Sequence, residues 1–199
     1  MTRDRSFTDA LDALRRIADS PELRPGERKA VAQELRDVEA MRDKLAEGRV
    51  EITAFGEINA GKSALLNALL GREVFKVAAR GGETKVRSAE EWRPDVRELS
   101  GLGTKLVVVD TPGLNEVDGA HRARIAERTV RQSDIVLFVV RGDLNDVEIS
   151  ALRELSALHK PLILVLNQID RFRKSELVEA LAAIKSRVAG LVADRDIVF

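Results

Sequence analysis

The run FGEINAGKSALLN, Phe55 to Asn67, lies between an apolar stretch, VEITAF, and a helical pattern, KSALLNALLG. From Gly56 to Ser63 it fits G-x-x-x-x-G-K-[ST], and a strand before and a helix after are the context this pattern requires. The glycines let the backbone fold round an anion, so that successive N–H groups and the following helix N-terminus point at its oxygens. Lys62 supplies a point charge for β and γ phosphates, and the Ser63 hydroxyl is placed to ligate Mg²⁺. Glu57, Ile58, Asn59, Ala60, Gly61, Lys62, Ser63 and Ala64 are therefore the expected nucleotide-binding loop.

Outward from this loop, from Val50 to the end, short apolar runs alternate with helical periods. KLVVVD, DIVLFVV and PLILVLN are apolar throughout, as strands buried on both faces of a parallel sheet are. The pattern predicts an α/β fold, a doubly wound, mostly parallel sheet with its binding loops at the strands' C-terminal ends. Helices are expected near Gly119–Gln132, Asp146–Leu158 and Ser175–Val192, with DIVF as a final strand. VRSAEEW, Val86 to Trp92, alternates and is read as an added edge strand, with Trp92 as core or sheet cover.

Before Val50 the pattern differs. Phe7 to Arg49 reads as two helices broken at SPELRPGE, where Pro21, Pro25 and Gly26 interrupt the period. Phe7, Leu11, Leu14 and Ile17 form one stripe; Val31, Leu35, Val38, Met41 or Arg42, and Leu45 form another. The expected organisation is an N-terminal helical hairpin over 1–49 and a nucleotide-binding domain over 50–199. The hairpin's charges nearly cancel, which suits solvated faces with packed apolar stripes, and a dimerisation or partner-binding element is the alternative.

Composition narrows the function classes. The 199 residues are 44% hydrophobic, enough for one good core and an appendage. Lys plus Arg equals Asp plus Glu at 33 each, so no global field draws the chain to nucleic acid or anionic lipid. With no cysteine there is neither disulfide nor thiolate metal site, and the isolated His121 and His159 read as surface residues. No apolar run of membrane-spanning length and no secretory signal is present, so a cytoplasmic location is expected.

Two further motifs follow buried runs. Asp110-Thr111-Pro112-Gly113 succeeds LVVV, where a carboxylate at a strand end suits a partner for Mg²⁺ and a glycine N–H can sense a γ-phosphate. Asn167-Gln168-Ile169-Asp170 succeeds LILVL. The Asp170 carboxylate can accept from both N1–H and the exocyclic amine of guanine, a donor pair that adenine lacks, which favours GTP over ATP.

The ordered set GEINAGKS, DTPG and NQID resembles the regulatory P-loop GTPases of the Era and TrmE-like branch, which includes dynamin-related proteins. The wording FGEINAGKSALLNALLG with DTPGLNEVDG, and the long N-terminal helices, are similar to bacterial GTPases that continue into a YcjF-type or dynamin-like C-terminal region. The resemblance runs from Val50 to the end. It implies GTP/GDP and Mg²⁺ as ligands, with Lys62, Asn59, Thr84 and Gly113 as the catalytic set and Ser63, Thr84 and Asp110 as the metal set. Thr84, in RGGETK, is the threonine expected to close over Mg²⁺ and the γ-phosphate, with Thr104 as the alternative. Asn167, Gln168 and Asp170 are the guanine-side residues. The sequence departs from the family where a lysine usually covers the base: Gln168 stands there, implying retained selectivity with weaker affinity. A closing S-A-K-like motif would follow DIVF, so the chain is expected to be a fragment of a longer protein.

Ras-like GTPases orient the attacking water with a glutamine after the D-x-x-G turn; Leu114 occupies that place here and implies slow intrinsic hydrolysis. In the resembling branch a phosphate-loop asparagine helps hold K⁺ and hydrolysis is stimulated by G-domain pairing; that asparagine falls on Asn59, whose alternative role is to brace the loop by hydrogen bonds. Arg80 and Arg87, beside Thr84, read as solvent-facing charge. The leading expectation is a GTP-binding switch with slow hydrolysis; the alternative is a nucleotide-stabilised scaffold acting through its helical extension. A homodimer through G domains or N-terminal helices is the expected partner. No direct nucleic-acid contact is expected, and membrane association only through further sequence.

Overall fold

The computed structural model describes residues 2–77, 88–94, 104–113 and 131–199. The expectations for Thr84, Arg80, Arg87, Leu114, His121 and most of the Gly119–Gln132 helix lie outside them, as does the side chain of Phe7. The chain divides into two compact units, Met1–Arg49 and Val50–Phe199.

The first unit is a pair of helices, α1 (Thr2–Ala18) and α2 (Pro25–Ala46), packed on one another. Pro25 opens α2 at its first turn, where its missing N–H costs no helical bond, and the Arg24 N–H donates to Glu27 Oε2 at 3.0 Å. Between the helices Arg15 Nη2 donates to Glu39 Oε1 at 2.7 Å. The α1 stripe runs through Leu11, Leu14 and Ala18 rather than Ile17, which is half exposed. A spacing of seven residues returns to the same face of a helix more closely than six. On α2, Val31, Leu35 and Val38 are half-buried, whereas Met41, Arg42 and Leu45 are exposed, so the apolar stripe is used only over its first part.

The second unit is a six-stranded sheet: β1 (Arg49–Phe55), β2 (Ser88–Trp92), β3 (Lys105–Asp110), β4 (Ile135–Val140), β5 (Leu162–Leu166) and β6 (Ile197–Val198), in the spatial order β2-β3-β1-β4-β5-β6. β1 pairs with β4 in parallel, Ile52 opposite Ile135 and Phe55 opposite Phe138, and β4 with β5, Val136 opposite Leu162 and Val140 opposite Leu166. β2 is the antiparallel edge strand, with Trp92 opposite Leu106 and half-buried against the core. α3 (Lys62–Leu70), α4 (Asp146–Ala157) and α5 (Lys174–Arg187) are the described α-helices of this unit, with single 3₁₀ turns at Ile169–Arg171 and Asp194–Asp196.

Strand β4 explains why the apolar runs are continuous. Val136, Phe138 and Val140 point into a core closed by Ile149, Leu152 and Leu155 of α4 and Ile184 of α5. Leu137 and Val139 point the other way, into a second core with Leu66 of α3, Ala54 and Val108. Period-two alternation with both faces apolar is a strand covered on both sides. The apolar layers fix the strands' register, and the register sets which loops emerge together at their C-terminal ends.

Candidate nucleotide-binding site

The loop from Gly56 to Gly61 leaves β1 and turns into α3. Gly61 stands at the helix start with φ +89°, and a Cβ there would lie 2.3 Å from Asn167 Nδ2. Only glycine accepts both the left-handed backbone and that approach. Lys62, 7% exposed, donates its ammonium to the carbonyls of Gly56 at 3.1 Å and Glu57 at 2.8 Å, which holds the charge across the mouth of the loop. The next residue, Ser63, donates its hydroxyl to Asp110 Oδ2 at 2.6 Å.

Asp110 ends β3 and is buried; its Oδ1 accepts from the Thr111 N–H at 3.1 Å. The Thr111 hydroxyl donates to the Ala54 carbonyl in β1 at 2.7 Å, which ties the Asp110 turn to the strand that feeds the phosphate loop. Gly113 then comes against that loop: a Cβ on it would fall 2.5 Å from Ile58 Cγ1 and 2.8 Å from Ile58 N. The D-T-P-G turn and the phosphate loop are thus one packed object.

The third motif joins from the other side. Asn167 Nδ2 donates to the Ala60 carbonyl at 2.9 Å, and Gln168 Nε2 donates to the Asn59 carbonyl at 3.0 Å. Asn59 and Gln168 are both left-handed, at φ +62° and +58°. Asp170 sits in a single 3₁₀ turn, Ile169–Arg171, with its side chain exposed, and Arg171 Nη1 donates to Gln168 Oε1 at 2.9 Å. The structure therefore brings together Gly56 to Ala64, Asp110, Gly113 and Asn167 to Asp170. Thr104, the alternative to Thr84, precedes β3, whose other end carries Asp110.

Sequence reasoning missed two asparagines and a glutamate. Asn145 caps α4, accepting on Oδ1 from the Glu148 N–H at 2.9 Å, while its Nδ2 donates to Glu57 Oε1 at 2.7 Å. Glu148, 4% exposed, returns the cap by accepting on Oε2 from the Asn145 N–H at 2.9 Å; burial pushes its carboxyl above the ordinary value, and Glu57 pushes the same way. The spacing Asn-x-x-Glu ahead of an apolar helix is a capping-box signature and was the available signal. Glu57, Asn145 and Glu148 line a cleft of about 550 Å³ with Arg141, Arg171 and Phe172. Asn67, on α3, accepts from the N–H groups of Val74 at 3.0 Å and Phe75 at 2.9 Å and donates to the Phe75 carbonyl at 2.8 Å. No sequence period marks it.

The donor set can be tested for a metal. Among the described residues no three His, Cys, Asp or Glu side chains cluster to hold an ion on protein ligands alone. The converging Ser63 hydroxyl and buried Asp110 carboxylate fit Mg²⁺ instead, which keeps water ligands and completes its shell with phosphate oxygens.

A doubly wound sheet whose strand ends carry this loop, this carboxylate turn and this N-x-x-D turn defines a P-loop nucleotide-binding domain of the guanine-reading kind. The family model described as 50S ribosome-binding GTPase matches residues 51–168, and the chain belongs to that family. It is 34% identical, over 77% of its length and 32% of the relative's, to the tRNA modification GTPase MnmE of Halorhodospira halophila. It is 28% identical to GTPase Era of Geotalea daltonii, over 66% of its own length and 44% of that protein's. In fold it is similar to Era in a complex with MgGDPNP and nucleotides 1506–1542 of 16S ribosomal RNA, with a TM-score of 0.62 at 24% identity over 75% of this chain and 50% of that one. The chain spans less than half the length of these curated relatives.

Proposed function

We propose that the chain binds GTP and GDP with Mg²⁺ and acts as a switch that hydrolyses GTP slowly. One observation carries the reading: Asn167 Nδ2, 2.9 Å from the Ala60 carbonyl, ties the turn bearing Asp170 to the phosphate loop, which supports a site that would read the base and grip the phosphates together. Lys62 and the loop N–H groups would hold the phosphates, Ser63 would ligate Mg²⁺, Asp110 would hold one of its waters, and Asp170 would read guanine. Mg²⁺ would supply charge neutralisation between β and γ phosphates. Thr84 and Gly113 are the proposed γ-phosphate sensors, whose ordering passes the nucleotide state to the rest of the protein.

The slow rate follows from Leu114 in the water-orienting position. The proposed substitute is K⁺ at Asn59, in the service of hydrolysis stimulated by pairing of two G domains. Asn59 is exposed on the loop, at a left-handed position of the kind asparagine adopts readily. The net charge is zero, so no global field draws the chain to nucleic acid, and no described helix is long and apolar enough to cross a bilayer.

Titration with fluorescent GDP, competed by GTP, XTP and ATP, tests base reading. Displacement by GTP at concentrations where ATP and XTP fail supports the proposal, and Asp170→Asn should then transfer preference to XTP. Equal competition by all three removes it. Turnover in KCl against NaCl at equal ionic strength tests the cation; equal rates at high protein concentration rule it out. Lys62→Ala separates switch from scaffold: the switch loses nucleotide and turnover, while a scaffold keeps self-association.

A further inference from the structure

We infer that Arg171 is a positioning residue, acting through Gln168 to hold the phosphate loop at Asn59. The inference rests on the proposed guanine-reading role of the Asn167–Asp170 turn.

An amide has two chemically opposite ends of nearly equal size, so a glutamine serves as a tether only if something fixes which end points where. Here Nε2 donates to the Asn59 carbonyl at 3.0 Å while Oε1 accepts from Arg171 Nη1 at 2.9 Å. Turned by half a rotation, the amide would set its NH₂ against a guanidinium and its oxygen against a carbonyl, replacing both attractions by repulsions. The guanidinium, which only donates, admits one orientation. It also polarises the amide, strengthening the bond to Asn59.

The Gln168 end of that bond is strained in a way a tether would sustain. Gln168 and Asn59 are left-handed, and glutamine is not among the residues that visit that region readily. Such conformations persist when surroundings over-determine them. Asn167 holds the next carbonyl, that of Ala60, so the two side chains pin consecutive peptide units of the loop. A lysine at 168 would need no orienting partner, since its ammonium donates in every direction. It would instead meet Arg171 as a like charge.

That contrast gives the test. Hydrogen exchange of the 55–67 segment in nucleotide-free protein and affinity for fluorescent GDP are measured for wild type, Arg171→Ala, Gln168→Ala, Gln168→Lys, and the Gln168→Lys/Arg171→Ala and Gln168→Ala/Arg171→Ala doubles. Arg171→Ala and Gln168→Ala should each speed exchange and weaken GDP about fivefold, the double alanine variant no further, because each disables the same tether, the bond from Gln168 to the Asn59 carbonyl. Gln168→Lys alone should also be loose, and adding Arg171→Ala should restore it to within about twofold of wild type, a reversal that a merely structural arginine would not produce. Losses that multiply in the double alanine variant, no response to Arg171→Ala, or no rescue by the lysine would each overturn the inference. If wild type binds no guanine nucleotide, the proposed function fails while the exchange data still judge the tether.

Discussion

Gly61 and Gly71 bracket α3, and replacing each by alanine separates backbone strain from damage to the site. Both are left-handed, φ +89° and +67°. A Cβ on Gly71 meets nothing within 4 Å, so Gly71→Ala carries only the left-handed penalty, about 1 kcal/mol. A Cβ on Gly61 would lie 2.3 Å from Asn167 Nδ2, the atom that donates to the Ala60 carbonyl, and 3.5 Å from Gln168 Nε2. Gly61→Ala therefore adds the loss of a partly buried hydrogen bond, about 1 to 2 kcal/mol, for a total of about 2 to 3. At about 2 to 4 °C per kcal/mol for a domain of this size, thermal midpoints should fall by about 2 to 4 °C for Gly71→Ala and about 4 to 12 °C for Gly61→Ala. GDP affinity should stay within about twofold in Gly71→Ala and drop by about tenfold or more in Gly61→Ala, because the base-reading turn loses its anchor on the loop. Urea and thermal unfolding give the first quantity, fluorescent GDP titration the second. Equal midpoints and equal affinities in the two variants would refute the claim that Asn167 packs against Gly61 and couples the two motifs.

Ser63→Ala removes the hydroxyl that converges with Asp110, so GDP binding should lose its response to Mg²⁺ against EDTA while the fold, read by circular dichroism, persists. Glu148→Gln keeps an acceptor for the Asn145 N–H, so the α4 cap survives. Because the folded carboxyl lies above its ordinary value of 4.5, the contribution of Glu148 to wild-type stability is full below that value and is lost as pH rises through the folded value; the substituted amide does not titrate. The stability difference in favour of Glu148→Gln should thus open between acid and neutral pH, and a pH-independent difference in urea midpoints would contradict the burial argument. Asn67→Ala strands two N–H groups and one carbonyl between Val74 and Phe75, a loss of about 2 to 4 kcal/mol in urea unfolding.

What could be read from the residues divides along a physical line. Strands covered on both faces advertise themselves as unbroken apolar runs, so β3, β4 and β5 were legible, as was the alternating antiparallel edge strand β2. Helix ends were less so. The helix expected to reach Val192 stops at Arg187, yet Val188 and Val192 remain buried in the same core, so the apolar spacing continued past the hydrogen-bonded helix. In α1 the apolar period leads to Ile17 because isoleucine is the more apolar residue, whereas Ala18 faces inward. Periodicity reports which positions are apolar; it does not fix the rotation of a helix when a small residue sits beside a large one.

Site residues divide in the same way. Lys62, Ser63, Asp110 and Asn167 stand out in the sequence because the expected chemistry demands particular atoms at fixed spacing, and the fold brings them together. Asn67 and Asn145 act by bonding to backbone or to one neighbouring side chain, which leaves no period. Gln168 shows the limit most sharply. Read as a residue type it is a shortened, uncharged stand-in for a lysine, and weaker nucleotide binding follows. Read as atoms it spends one end of its amide on the Asn59 carbonyl and the other on Arg171, three positions along. On the proposed role of Arg171, affinity lost with the lysine would be partly recovered through a residue outside the motif, so replacing Gln168 by lysine alone should fail to improve binding while Arg171 stays in place.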